Sequence, residues 1–219
     1  MIKKLIFDLD NTLIMWRKEY NIAVQKAFEL SNLKYNQEMV ERINNLTDSF
    51  ENDFDNPNRY YEKKVFLEYI NQKTNYNLNI DFINNWLKCN IIYSTPDELD
   101  KTVYDTLEYL SEKYELVVLT NWFSDAQIGR MEKVGIKKYF SHIYTAEKYA
   151  KPQKEAFLQA VGNNNLNECV MIGDNLNIDI LGAKDTGINN LIWLNNNNKK
   201  EVYKDIKVIT KLEELKNIF

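Results

Sequence analysis

Four short segments carry the residue types that do chemistry. They are Asp8-Leu9-Asp10-Asn11-Thr12, Thr120-Asn121, Lys151-Pro152, and Gly173-Asp174-Asn175 with Asp179 five positions after Asp174. In an extended backbone Asp8 and Asp10 project to the same side. Two carboxylates that close repel unless a cation lies between them or one is protonated. Asp174 added to that pair makes a cluster of hard oxygens suited to Mg²⁺, which keeps several waters and accepts a substrate phosphate oxygen. The metal offsets the repulsion that otherwise stops an aspartate from attacking a phosphate dianion. Thr120 and Lys151 supply a hydroxyl and a positive charge to orient the other phosphate oxygens. Each segment alone has a blander reading. Asp8-Leu9-Asp10 would serve as a strand-to-helix turn with an N-cap, Asp174 as the cap of the next helix, and Asp179 as a solvated position beyond it.

What favours the joint reading is where the segments fall. Short apolar runs rich in β-branched residues mark buried parallel strands. They are Lys4-Leu5-Ile6-Phe7, Leu116-Val117-Val118-Leu119, His142-Ile143-Tyr144-Thr145, Cys169-Val170-Met171-Ile172, Asn190-Leu191-Ile192-Trp193-Leu194 and Lys207-Val208-Ile209-Thr210. Amphipathic stretches lie between them, from Phe123 to Val134 before Gly135 and from Gln153 to Val161 before Gly162. This alternation predicts an α/β fold, a Rossmann-like parallel sheet with helices on both faces. Ligands in such sheets bind at the carboxyl ends of the strands. Each of the four segments follows one of those ends.

From Trp16 to Pro96 the rhythm changes. The stretch has no glycine, and its apolar residues recur at helical spacing, as in Tyr20, Val24, Ala27 and Phe28 or Phe82, Ile83, Trp86 and Leu87. Asn56-Pro57-Asn58 and Asn75-Tyr76-Asn77 read as turns between helices. The expected organisation is a core of residues 1–15 and 97–219 with an α-helical insert over 16–96.

Bulk properties narrow the partners. With 219 residues and 44% hydrophobic content the chain can bury a substantial core. A net charge of -4 argues against a nucleic-acid backbone as partner. Lys199-Lys200 is too short a basic cluster to change that. No apolar run approaches the roughly 20 residues that span a bilayer, and Asp8 interrupts the first one early. Cys89 and Cys169 are too few and too distant for a disulfide framework or a zinc site, so a reducing, cytoplasmic setting is expected. His142 is the single histidine, which leaves the chemistry to carboxylates, hydroxyls and lysines. The chain is large enough to be a monomer, or at most a weak homodimer.

The four motifs together resemble those of the haloacid dehalogenase-like (HAD) hydrolase superfamily, in the branch with a helical cap, and the resemblance spans essentially the whole chain. It implies a Mg²⁺-dependent phosphatase for a small phosphate monoester: a nucleoside monophosphate, phosphoglycolate or a sugar phosphate. Asp8 is then the nucleophile that forms a phosphoaspartyl intermediate. Asp10 protonates the leaving oxygen, activates water afterwards, and lends its backbone carbonyl to the metal. Thr120, Asn121 and Lys151 hold phosphate, Asp8 and Asp174 ligate Mg²⁺, and Asp179 supports the metal from behind. The insert becomes a cap over the site, with Trp16 and Tyr20 near its start as candidate pocket residues. Trp122 departs from the pattern, since relatives more often carry a small residue there; a bulky ring would narrow the pocket or stack on a base. Lys148 is a rival to Lys151, but the lysine directly before proline fits better. Dehalogenases of this fold lack the second carboxylate, so Asp10 favours phosphatase over 2-haloacid dehalogenase. The same motifs also admit a phosphosugar mutase or a non-catalytic phosphate-binding module.

Overall fold

The computed structural model describes residues 1–16, 19–53, 61–196 and 204–219. Six parallel strands form one sheet in the order β3-β2-β1-β4-β5-β6. They are β1 (Lys4–Phe7), β2 (Glu115–Leu119), β3 (His142–Tyr144), β4 (Cys169–Gly173), β5 (Asn190–Leu194) and β6 (Lys207–Ile209). All six match the expected runs to within a residue at either end. β1 lies between β2 and β4, so the winding reverses beside it. The cleft at such a switch point, outside the carboxyl ends, is where α/β sheets bind ligands. Phe7 pairs with Val118 on one side and Ile172 on the other, which sets three strand ends level.

The inner strands β1, β2, β4 and β5 are buried on both faces, whereas the edge strands β3 and β6 are partly exposed, and strand alternation divides the core in two. Leu5, Phe7, Val118 and Ile172 pack with Leu107 and Leu110 of α5 (Lys101–Ser111) and Met131 of α6 (Ser124–Lys133). Ile6, Val117 and Met171 face the other way, onto Phe157 and Ala160 of α7 (Lys154–Val161) and Ala183 of α8 (Gly182–Thr186). Covering both faces is what makes continuous apolar runs necessary in a parallel sheet.

Among the described residues four helices separate β1 from α5: α1 (Tyr20–Leu30), α2 (Gln37–Asn52), α3 (Lys63–Lys73) and α4 (Ile80–Tyr93). Asn36 and Asn79 start α2 and α4 by accepting from the N–H groups of Met39 and Phe82. Asn77, at φ 50, takes the left-handed turn before α4, where Asn75-Tyr76-Asn77 is expected to turn the chain. The other expected turn, Asn56-Pro57-Asn58, lies outside the described residues, as do Lys199 and Lys200. Phe28, Phe50, Phe66, Phe82 and Trp86 form a third apolar cluster, which the sheet side enters through Trp122, Phe123 and Ala126. The aromatic rings therefore glue the helical segment to the edge of the sheet that carries the chemistry. Among the described residues no helix is long and apolar enough to cross a membrane. His142 opens β3 as an exposed side chain against Tyr144, and both cysteines are buried free thiols.

Candidate active site

β1 delivers Asp8 to the switch point, and the chain then turns at once. Asn11 is left-handed at φ 60, a conformation asparagine tolerates better than most residues. The N–H groups of Leu13 and Ile14 both donate to the Leu9 carbonyl, at 2.9 and 3.0 Å. This tight loop brings Thr12 back to Asp8. The Thr12 hydroxyl accepts from the Asp174 N–H at 3.1 Å and donates to Asp8 Oδ2 at 3.0 Å. One hydroxyl thus ties the ends of β1 and β4 together.

Lys151 Nζ donates to Asp8 Oδ1 at 2.5 Å and to Asp179 Oδ1 at 2.7 Å, and all three side chains are buried. Burial alone would lower the Lys151 pKa, but the charges of Asp179 and Asp8 overcome it and raise the pKa, so the ammonium stays charged. Asn121 braces the loop that carries it. Its side-chain amide donates to the Lys151 carbonyl and accepts from the Lys151 N–H, both at 2.8 Å. Asn121, expected to hold phosphate, here holds the backbone of Lys151. The Lys151-Pro152 peptide is cis. Lys148 is exposed, with its ammonium 5.1 Å from the centre of the Tyr149 ring. The structure brings Lys151 to the carboxylates and leaves Lys148 outside.

Asp179 reaches the site through a wide helical turn. Leu176–Leu181 is a π-helix capped by Asn175, whose side chain accepts from Asn177 and Ile178. Asn175, not Asp174, is the cap here. Such π turns are rare and recur at functional sites. The turn points Asp179 back beneath β4, where Oδ2 accepts from the Asn175 N–H at 3.0 Å. Gly173 makes room, for a Cβ there would fall 2.6 Å from Asp179 Cβ.

Asp8, Asp174 and Asp179 each place one oxygen within 4.8 Å of the others. Among the described residues Lys151 alone forms an ion pair with them, so the fully ionised trio carries an excess of two negative charges there. The strain shows in the proton affinities. Burial, then Asp8 and Asp179, push the Asp174 pKa up to about 7, and burial raises Asp179 despite the pull of Lys151. A set of hard oxygens with that excess fits Mg²⁺. Asp179, expected to support the metal from behind, places one oxygen in the same cluster, and its two oxygens also accept from Lys151 and the Asn175 N–H. The Asp10 carboxylate is not in the trio; the metal role implied for Asp10 runs through its backbone carbonyl.

The Asp10 carboxylate turns instead toward α6. It forms an ion pair with Arg130 Nη1 and accepts from Gln127 Nε2 at 2.6 Å. Its pKa is raised by burial, opposed by Arg130 and reinforced by Asp8. Thr120 is buried, and its hydroxyl accepts from the same Gln127 amide at 2.7 Å. Neither Gln127 nor Arg130 stands out in the sequence. The signal available was a pair of polar residues three apart beside the apolar Ala126 and Met131 on one helix.

A cavity of about 400 Å³ opens over these groups. Asp8, Asp10, Asn121, Lys151, Asp174 and Asp179 lie on its wall, and Thr120 does not. Trp16, Tyr20, Tyr61, Trp86 and Trp122 supply aromatic walls, while α2 contributes Asn44, Thr47, Asp48, Glu51 and Asn52. Trp122 packs edge-on to Trp16 and Trp86 at ring-centre distances of 6.1 and 5.5 Å, so it is core and pocket wall at once.

A parallel sheet whose central strand ends in two aspartates, with a lysine and two further aspartates converging on the first, defines a hydrolase core. A family model for haloacid dehalogenase-like hydrolases matches residues 2–187, and the chain belongs to that family. Putative HAD-hydrolase YfnB of Bacillus subtilis is 24% identical over 99% of this chain and 94% of its own length. The crystal structure of YfnB bound to magnesium superposes with a TM-score of 0.67 at 23% identity, covering 99% of this chain and 98% of that one. Glyceraldehyde 3-phosphate phosphatase of Pyrococcus furiosus is 26% identical over 98% of this chain and 91% of its own. Pyrimidine 5'-nucleotidase YjjG of Escherichia coli is 34% identical over a shorter stretch, 38% of this chain and 39% of its own.

Proposed function

We propose that this hydrolase is a Mg²⁺-dependent phosphatase of small phosphate monoesters, with a nucleoside monophosphate as its first candidate substrate. The observation that carries the reading is the division of labour between two aspartates on one cavity wall. Asp8 shares a buried cluster with Lys151, Asp174 and Asp179, while Asp10, two residues on, is held separately by Gln127 and Arg130.

In this mechanism an Asp8 oxygen attacks phosphorus and the bond to the leaving oxygen breaks. Asp10 gives that oxygen its proton. Water then attacks the phosphoaspartate, Asp10 takes the water's proton, and inorganic phosphate leaves with Asp8 restored. Lys151 keeps a positive charge beside the attacking carboxylate and the incoming phosphoryl oxygens. Thr12 holds the second Asp8 oxygen, so that the free lone pairs have a fixed direction. Asn121 fixes the Lys151 backbone, and Thr120 offers a hydroxyl whose lone pair is already engaged by Gln127. Mg²⁺, held by Asp8, the Asp10 carbonyl, Asp174 and Asp179, would neutralise charge on the phosphoryl group.

Residues 16–96 act as a helical cap on the core formed by 1–15 and 97–219. The cap excludes water and selects the leaving group. Aromatic walls from Trp16, Tyr61 and Trp86 together with amide-bearing residues of α2 suit a ring that also needs hydrogen-bond partners, which favours a nucleoside. Two relatives, a pyrimidine 5'-nucleotidase and a glyceraldehyde 3-phosphate phosphatase, support the ester class.

Phosphate release measured over nucleoside monophosphates, sugar phosphates and phosphoglycolate, with and without Mg²⁺, tests both levels. Metal-dependent release led by a nucleoside monophosphate is expected. Release led by another ester moves the substrate, and no release from any of them rejects the phosphatase reading.

A further inference from the structure

Arg130 and Gln127 sit one turn apart on α6, and their side chains reach the same carboxylate. Arg130 is fully buried, which is costly for a guanidinium without a partner charge. Its Nη1 pairs with Asp10 Oδ1 and also donates to Gln127 Oε1 at 2.7 Å, while Nε donates to Thr95 Oγ1 at 3.2 Å. The guanidinium carbon lies 3.7 Å from the centre of the Trp16 ring, a stacked cation–π contact. Gln127 has no choice of orientation. Arginine only donates, so the amide oxygen must face Arg130, and the NH₂ must face the carboxylate and Thr120. Both Asp10 oxygens are therefore held by donors, Oδ1 by Arg130 and Oδ2 by Gln127.

Neither residue lies on the cavity wall, and neither joins the carboxylate trio. A purely structural ion pair would not need an amide bridging it to a second site residue. We propose that Arg130 and Gln127 are positioning residues that aim the Asp10 carboxylate at the oxygen of the leaving group. Gln127 extends the same hold to Thr120, and Trp16 with Thr95 anchors Arg130 from either end of the helical segment. The proposal rests on the phosphatase reading and on Asp10 as its acid.

A misplaced acid harms some esters more than others. A p-nitrophenolate leaves readily without a proton, whereas an alkoxide does not. Because kcat/KM covers every step through departure of the leaving group, it reports the proton donated and not the later hydrolysis. General acid–base groups contribute roughly 10²–10⁴-fold, so disturbing their aim should remove at least about tenfold from the demanding ester.

The test compares kcat/KM for p-nitrophenyl phosphate and for an alkyl phosphate, with Mg²⁺, in wild type, Arg130→Met and Gln127→Met. The alkyl-to-aryl ratio is expected to fall about tenfold or more in both variants, with Arg130→Lys falling less than Arg130→Met. Gln127→Met keeps the volume and removes no charge, so it decides the matter if Arg130→Met does not fold. An unchanged ratio in a folded Gln127→Met protein, with both esters equally slowed or both unaffected, overturns the proposal. A wild type that hydrolyses neither ester instead overturns the phosphatase reading on which it rests.

Discussion

Lys151 and Asp179 form a buried ion pair at 2.7 Å, and the same ammonium reaches Asp8. Truncating one member of a buried pair leaves the other charge uncompensated, at a cost of roughly 3–5 kcal/mol. Lys151→Met should therefore lower thermal stability at neutral pH as well as activity. The two losses are separable with Mg²⁺. The cation supplies part of the missing positive charge, so it should restore more of the Lys151→Met melting temperature than of its turnover. Equal recovery of both would show that Lys151 serves the fold alone.

Gly173 is predicted to be intolerant of even a methyl group. A Cβ there collides with Asp179 Oδ2 and lies 2.6 and 2.7 Å from its Cβ and Cγ, too close for either to stay. Gly173→Ala should displace Asp179 and weaken Mg²⁺ binding, measured by calorimetric titration, by about tenfold or more. Gly135→Ala is the control, since its surroundings hold nothing within 4 Å and only its backbone would be strained. Unaltered Mg²⁺ affinity in Gly173→Ala would remove Asp179 from the cluster.

The carboxylate cluster also makes Mg²⁺ binding depend on pH in a defined direction. Asp174 titrates near 7, and Asp179 is raised as well. Both folded values lie above the unfolded ones. Their contribution to metal-free stability is thus present below about pH 4 and lost as the pH rises through 7. Mg²⁺ must displace any bound proton, so its apparent affinity falls as the pH drops below about 7. The melting temperature should rise on adding Mg²⁺ by more at about pH 8 than at about pH 5.5, as scanning fluorimetry can read. A larger rise at the lower pH would contradict this assignment.

Trp122 is expected either to narrow the pocket or to stack on a base, and it lies in the pocket wall with its ring packed among Trp16, Tyr61, Trp86 and Phe123. Its indole nitrogen is buried without a hydrogen-bond partner among the described residues. Trp122→Phe removes no hydrogen bond and should be mild in denaturant melts, whereas Trp122→Gly should cost about 3–5 kcal/mol, the range for large-to-small changes in a core. A shift in ester preference in Trp122→Phe would show contact with the leaving group. Preference unchanged across an ester panel would leave the ring a packing role only.

The inner strands and the motifs directly at the ends of β1, β2 and β4 were legible because a buried parallel strand must be apolar on both faces, and its end must turn polar abruptly. Phe7-Asp8 and Ile172-Gly173-Asp174 show that break in the bare sequence. The residues alone read Asp179 as a solvated position beyond a cap, and only the family resemblance places it behind the metal. The π turn over Leu176–Leu181, within which Asp179 meets Lys151 and the Asn175 N–H, has no signature in residue type. Gln127 and Arg130 escape notice for a related reason. On a helix they read as ordinary polar positions, and only the approach of Asp10 from a distant strand end makes them a pair. Thr12 stands inside a recognised motif, yet its bridge from Asp8 to the Asp174 backbone depends on the left-handed turn at Asn11.

In the proposed mechanism everything turns on Asp8 attacking phosphorus. Hydrolysis of p-nitrophenyl phosphate with Mg²⁺, compared between wild type and Asp8→Asn, decides whether it does. The amide keeps the side chain's size but is a poor nucleophile, so turnover should fall to the uncatalysed background while the fold, read by circular dichroism, is retained. A folded Asp8→Asn protein that turns over at the wild-type rate would contradict the claim.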